Sequence, residues 1–99
     1  MSGELYIVAK IEIKKAYREE FLSLAKGLVE ASSSEDGNIF YVLNESIDNP
    51  ELFFFIEQWK SQQAIEFHNK TEHFAKFAEF VKEKSLEVSS DIVRPVITA

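Results

Sequence analysis

The sequence predicts an α+β fold: a β-α-β-β-α-β chain, the ferredoxin-like split βαβ, with an antiparallel sheet covered by helices on one face. Three observations point there. Leu5–Ile13 alternates at period two, and Ile39–Ile47 and Leu52–Trp59 are further strand-like stretches bounded by turn signals. The stretches after Tyr17 and after Ser61 carry their apolar residues at helical spacing instead. The strands are apolar on both faces, although two helices can cover only one.

The elements follow in order. Leu5, Ile7, Ala9, Ile11 and Ile13 share one face of a first strand, and Tyr6, Val8, Lys10 and Glu12 the other. Tyr17, Phe21, Leu24, Ala25 and Leu28 form the stripe of an amphipathic helix that ends near Ser32–Ser34. Asp36-Gly37-Asn38 reads as a turn, where Gly or Asn can take positive φ. Ile39–Ile47 is a second strand, Asp48-Asn49-Pro50 a turn, and Leu52–Trp59 a third strand, antiparallel to the second. Ser61 and Thr71 are N-caps. They divide a short helix near Gln62–Asn69 from a longer one near Glu72–Leu86, whose stripe is Phe74, Phe77, Ala78, Val81 and Ser85. Ile92–Thr98 is a β-branched last strand, and Pro95 sends it to an edge or a bulge.

The two-faced strands imply a dimer. Leu52, Phe54 and Ile56 oppose Phe53, Phe55 and Trp59, and strand two repeats this with Phe40 and Val42 against Ile39, Tyr41 and Leu43. A sheet face open to water would alternate with polar residues. Pairing two helix-free faces would bury roughly 800 Å² per chain, an ordinary area for a stable pair.

Composition narrows the function. Ninety-nine residues make one domain spanning 1–99, with 45% hydrophobic residues and nine Phe. A net charge of −6 with no Lys/Arg cluster disfavours nucleic acid and anionic membranes. Without cysteine there is no disulfide framework and no thiolate chemistry. The first residues read as a strand and not as a signal peptide, and no apolar run approaches the roughly 20 residues of a membrane span. The expected location is cytoplasmic.

The candidate chemistry gathers between Leu52 and Phe77, which holds the chain's one Trp and both histidines. Glu57 shares a strand face with Phe53, Phe55 and Trp59. It reads as an acid or base with a raised pKa, or as a strand-end Glu bonded to backbone or a nearby Lys. His68 should look inward from the short helix, as a proton acceptor or as a half-buried histidine bonded to a carbonyl. Were it the base, His68→Ala should cost rate and little stability. His73, in the first turn after Thr71, reads as an organiser of the kink. No metal site is expected, because His68 and His73 are five apart and not the i, i+4 pair that aligns two imidazoles. Neither a catalytic triad nor a glycine-rich phosphate loop is present.

The pattern Glu35-Asp36-Gly37-x3-Tyr41, then Glu57-x-Trp59, then His68-x4-His73-Phe74 resembles the antibiotic biosynthesis monooxygenase (ABM) superfamily over nearly the whole chain, with the quinol monooxygenase (YgiN-like) branch as its nearest flavour. The resemblance implies a dimeric α+β barrel with a pocket between sheet and helices in each subunit. It implies oxidation of a small aromatic, quinol-like molecule by O2 without metal, flavin or haem. It moves Glu57, Trp59, His68 and His73 towards catalytic roles, with His68 as the proton acceptor, Glu57 tuning or orienting it, and Trp59, Phe55, Tyr41 and Phe74 holding the ring. Polyketide-oxidising members carry an Asn where this chain has Phe55. Haem-degrading members carry a Trp near the position of His68 and a His near that of Phe77, and neither is present here. An isomerase of a small phosphorylated metabolite, with Lys10 as its best basic group, and a non-catalytic small-molecule-binding dimer are the alternatives.

Overall fold

A computed structural model describes residues 4–99. Four strands form one antiparallel sheet in the order β2-β3-β1-β4, where β1 is Leu5–Ile13, β2 Asn38–Glu45, β3 Leu52–Trp59 and β4 Ser85–Val93. Helices α1 (Arg18–Ser33), α2 (Gln62–Asn69) and α3 (Glu72–Lys84) intervene, and a 3-10 turn, Lys15–Tyr17, leads into α1. This is the α+β, ferredoxin-like arrangement, with α2 and α3 as the two halves of the second crossover.

Alternation sets which side of the sheet the helices cover. Phe53, Phe55, Glu57 and Trp59 of β3 are all buried, as are Ile7, Ile11 and Ile13 of β1 and Tyr41 of β2. The register confirms that they share a face, since Ile7 and Tyr41 both stand opposite Glu57. Phe21 from α1 and Phe77 from α3 close over them, with Phe21 centred 4.7 Å from Phe53 and Phe77 5.5 Å from Phe55. Leu24, placed on the apolar stripe of α1 by its spacing, faces outwards. The opposite sheet face has no helix. Val8, Val42 and Ile56 remain 39%, 44% and 38% exposed there.

Both caps form as their residue types require. The Ser61 hydroxyl accepts from the Ala64 amide at 3.1 Å, and Thr71 accepts from the Phe74 amide at 3.3 Å. Each cap satisfies one of the otherwise unpaired amides of a helix start and is worth about 1 kcal/mol. Thr71 also donates its hydroxyl to the His68 carbonyl at 2.7 Å, which locks the kink between α2 and α3.

Four expectations change. The last strand is Ser85–Val93 and not Ile92–Thr98, so Pro95 lies beyond it, and α3 stops at Lys84 instead of Leu86. Ser85 is the residue at which α3 gives way to this strand. The strand does sit at the sheet edge, and the register with β1 shifts at Glu12/Ile13. The second strand stops at Glu45, before Ile47. At Asp36-Gly37-Asn38 no described residue takes a positive φ. Gly37 is required for space: a Cβ there would stand 2.3 Å from the Cβ of Ala64 on α2.

Candidate active site

Between the helix-covered sheet face and the α2–α3 pair lies a cavity of about 660 Å³. Its floor comes from the inward residues of β1 and β3, its lid from α2 and α3, and its outer wall from Val88, Ser90 and Ile92 of β4. Among the expected site residues, Tyr41, Phe55, Glu57, His68 and Phe74 line it. Trp59 and His73 do not, and each stands one layer behind a residue that does.

Trp59 backs Glu57. Its indole N–H donates to Glu57 Oε1 at 2.8 Å, a bond that links two residues on one strand face. Glu57 is 4% exposed. Burial pushes its carboxyl up to about 7; the donors Trp59 and Tyr41 oppose this, and the negative charge of Glu35 adds to it. Tyr41 in turn is driven well above the usual phenol range, first by burial and then by the Glu57 charge. A carboxyl that changes charge near neutrality in an aromatic pocket has the property that proton transfer needs.

His73 backs His68 through a residue for which the sequence reading gave no role. Glu35, in the turn after α1, receives His68 Nδ1 and His73 Nε2 on the same oxygen, Oε2, each at 2.7 Å. The turn is fixed at both ends: the Glu35 amide donates to the Ser32 carbonyl, the Asn38 amide to the Glu35 carbonyl, and the Lys60 amide to the Gly37 carbonyl. The contact that forbids a Cβ at position 37 brings this turn against α2. The only trace of Glu35 in the sequence was its place at the head of the Glu35-Asp36-Gly37 pattern. Its partners are 33 and 38 positions away.

His68 is the focal group. It is 1% exposed, and its ring lies 4.6 Å from Trp59, 5.0 Å from Phe74 and 5.5 Å from Tyr41. With Nδ1 engaged by Glu35, Nε2 is left buried with no protein partner. Burial lowers the pKa of His68 against the pull of Glu35, which favours a neutral ring with a free lone pair. This packing also corrects the expectation that His68→Ala would spare stability. Alanine would leave a void among three rings and strip Glu35 of a partner.

The five-residue spacing of the histidines does not keep them apart. The break at Thr71 rotates α3 against α2, and the two rings stand 5.9 Å apart. Glu35, His68 and His73 thus present three potential metal-ligating atoms within 4.8 Å of one another, contrary to the expectation drawn from the spacing. The 2.7 Å contacts are those of charge-assisted hydrogen bonds. Lys10 projects from the helix-free face opposite Phe54 and Ser89, so it does not serve the cavity. The cation that lines the cavity is Lys82, on α3.

Comparison with known proteins identifies the family and the fold. Residues 5–79 match the family model described as "Antibiotic biosynthesis monooxygenase". The chain is 41% identical over 90 residues to the Bacillus subtilis (strain 168) protein named "Putative monooxygenase YcnE", covering 91% of this chain and 94% of that one. It superposes on the crystal structure of PA3566 from Pseudomonas aeruginosa with a TM-score of 0.89 at 30% identity, covering 98% of both chains. A conserved protein from Methanosarcina mazei Go1 superposes with a TM-score of 0.87 at 29% identity, over 92% of this chain and 91% of that chain.

Proposed function

The chain belongs to the antibiotic biosynthesis monooxygenase family, and from that premise we propose that it oxidises a small aromatic, quinol-like molecule with O2 in the cavity beneath α2 and α3. The observation that carries this reading is His68: a buried imidazole, with one nitrogen anchored on Glu35 and the other unpartnered, on the wall of an aromatic-lined cavity.

Nε2 takes the proton of a ring hydroxyl, and the O–H electron pair stays on the oxygen as a phenolate. That raises the electron density of the ring towards O2. The ring then supplies the electrons: one oxygen atom joins it and the other leaves as water. Glu57, which titrates near neutrality, exchanges the further proton this requires. Phe55, Tyr41 and Phe74 hold the ring, and the apolar walls keep water from the charged intermediates. Trp59 and His73 act as positioning residues for Glu57 and His68. No metal, flavin or haem is required in this scheme.

An isomerase of a phosphorylated metabolite is supported less well. Phosphate recognition relies on convergent basic groups or amides. The cavity wall is mostly apolar, and among the described residues Lys82 is its single lysine or arginine.

We further propose a homodimer formed by the helix-free sheet faces. Val8, Val42 and Ile56 are exposed there beside the Tyr6–Phe40 ring pair, whose centroids are 6.0 Å apart. A scattering mass of one chain at micromolar concentration would contradict it.

The functional test is oxygen uptake with a panel of hydroquinones, naphthols and anthrones. The expected result is a quinone product with one atom of label from 18O2. Tight binding of these compounds without oxygen uptake would replace the monooxygenase reading with a binding module.

A further inference from the structure

A base as buried as His68 faces a problem that its own surroundings do not solve. It is 1% exposed, so a proton taken from a ligand has no direct way out to water. His73 is 27% exposed, and both rings are held on one oxygen of Glu35. We propose that Glu35 joins the two imidazoles into one proton-exchange unit, which holds a single imidazolium, and that His73 is the solvent-side member that releases a proton when His68 takes one. This rests on His68 being the base of the cavity.

The exchange balances without any proton crossing the carboxylate. At the start Glu35 is ionised, His73 is the imidazolium, and neutral His68 donates Nδ1–H to Oε2. A ligand O–H bond breaks, its electron pair stays on the ligand oxygen, and an N–H bond forms at Nε2 of His68. The N–H bond at Nδ1 of His73 then breaks, and that proton passes to water. The unit carries one positive and one negative charge both before and after the exchange. The return step reverses both transfers.

Exposure decides the starting arrangement. Burial opposes charge on His68, and a charged His73 beside it opposes it further, while His73 keeps part of its hydration. The other titratable groups do not replace Glu35. Tyr41 faces His68 from β2 with ring centres 5.5 Å apart, and Glu57 lines the same cavity from β3 but is bonded to Trp59. On the helix of His73, Glu72 and Lys76 pair with each other at 3.0 Å. Among the described residues, only Glu35 hydrogen-bonds to both rings.

The chain's two histidines make the test direct, because each ring can be followed by NMR across a pH titration. His73→Gln keeps an amide donor near the position of Nε2 and removes the charge. In it, the midpoint of His68 should rise by on the order of 1 pH unit, since its competitor for Glu35 is gone. His73→Asn is the second variant should Gln pack poorly. Glu35→Gln should move the same midpoint the other way. A His68 midpoint that stays at its wild-type value in a folded His73 variant, or that does not fall in Glu35→Gln, would overturn the proposal. So would one equivalent of Zn2+ perturbing both rings together at neutral pH, which would make the cluster a metal centre. The titration needs no turnover. A shifted midpoint with no quinol oxidation would retain the coupling and discard the monooxygenase reading; oxidation with an unshifted midpoint would do the reverse.

Discussion

Glu57 and Glu35 are both buried carboxylates serving one site, and their surroundings give them different work. Glu57 is 4% exposed and is met by neutral donors, the Trp59 indole and the Tyr41 phenol. Dipoles offset only part of the lost hydration, so its carboxyl rises to about 7. Glu35, with a 7% exposed side chain, is met by two imidazoles, either of which can carry a balancing charge. Burial alone therefore does not assign a role to an acid. Whether its partners can become charged determines whether it serves as an exchangeable proton or as a fixed counter-charge.

Neutralising the two acids should shift stability in opposite directions at neutral pH. Glu35→Gln removes two charge-assisted hydrogen bonds, each worth about 1.5–3 kcal/mol, and should destabilise by about 3 kcal/mol in a denaturant titration at neutral pH. Equal stability of this variant and wild type would mean that Glu35 is not held as a counter-charge.

Glu57→Gln should do the reverse, with a pH signature. A folded-state pKa raised from 4.5 to about 7 means that the native state holds its proton more tightly than the unfolded chain. The stability that proton binding gives is fully present below 4.5 and is lost as pH rises through about 7. Glutamine cannot ionise, so the variant should gain on wild type between pH 5 and 8 by on the order of 3 kcal/mol, at 1.36 kcal/mol per pKa unit. A flat difference across that range would remove the claim that Glu57 titrates near neutrality. His68 contributes with the opposite sign. Its lowered folded pKa costs stability as pH falls below the ordinary histidine value, so the variant-minus-wild-type difference is the quantity to follow.

Gly37→Ala should sharpen the contrast at smaller cost. The added methyl meets Ala64 at 2.3 Å and must push the Glu35 turn away from α2. Overpacking of this kind costs about 1–3 kcal/mol. The His68 contact with Glu35 should loosen while Trp59–Glu57 stays intact, because both of the latter lie on β3. NMR shifts of the indole N–H and the His68 ring would separate the two effects.

Much of this arrangement was readable in the sequence where local chemistry and burial agree. Strands β1 and β3 and helix α2 keep the limits that alternation and caps gave them. The last strand was misplaced because one face of β4 lines the cavity while the other carries Glu87, Ser89 and Asp91, so its apolar content is low. The run of β-branched residues after Ile92 gave the stronger, misleading signal. Glu57 was found because its neighbours on the strand are aromatic. Glu35 gives no such local signal, because an acid among serines at a helix end looks solvated. Only the tertiary approach of the turn to α2, permitted by Gly37, buries it between histidines more than 30 residues away. The kink at Thr71 was foreseen, but its consequence, the convergence of His68 and His73, depends on how far α3 turns.

The central claim is that Nε2 of His68 removes a proton from a ligand in the cavity. His68→Asn tests it most directly, because the asparagine amide can take the place of Nδ1–H towards Glu35 and puts nothing at Nε2. With a quinol that the wild type oxidises, the account predicts a loss of roughly 10²–10⁴-fold in kcat/KM, with Tm lowered by only a few degrees. A folded His68→Asn protein that oxidises the same quinol at the wild-type rate would contradict it.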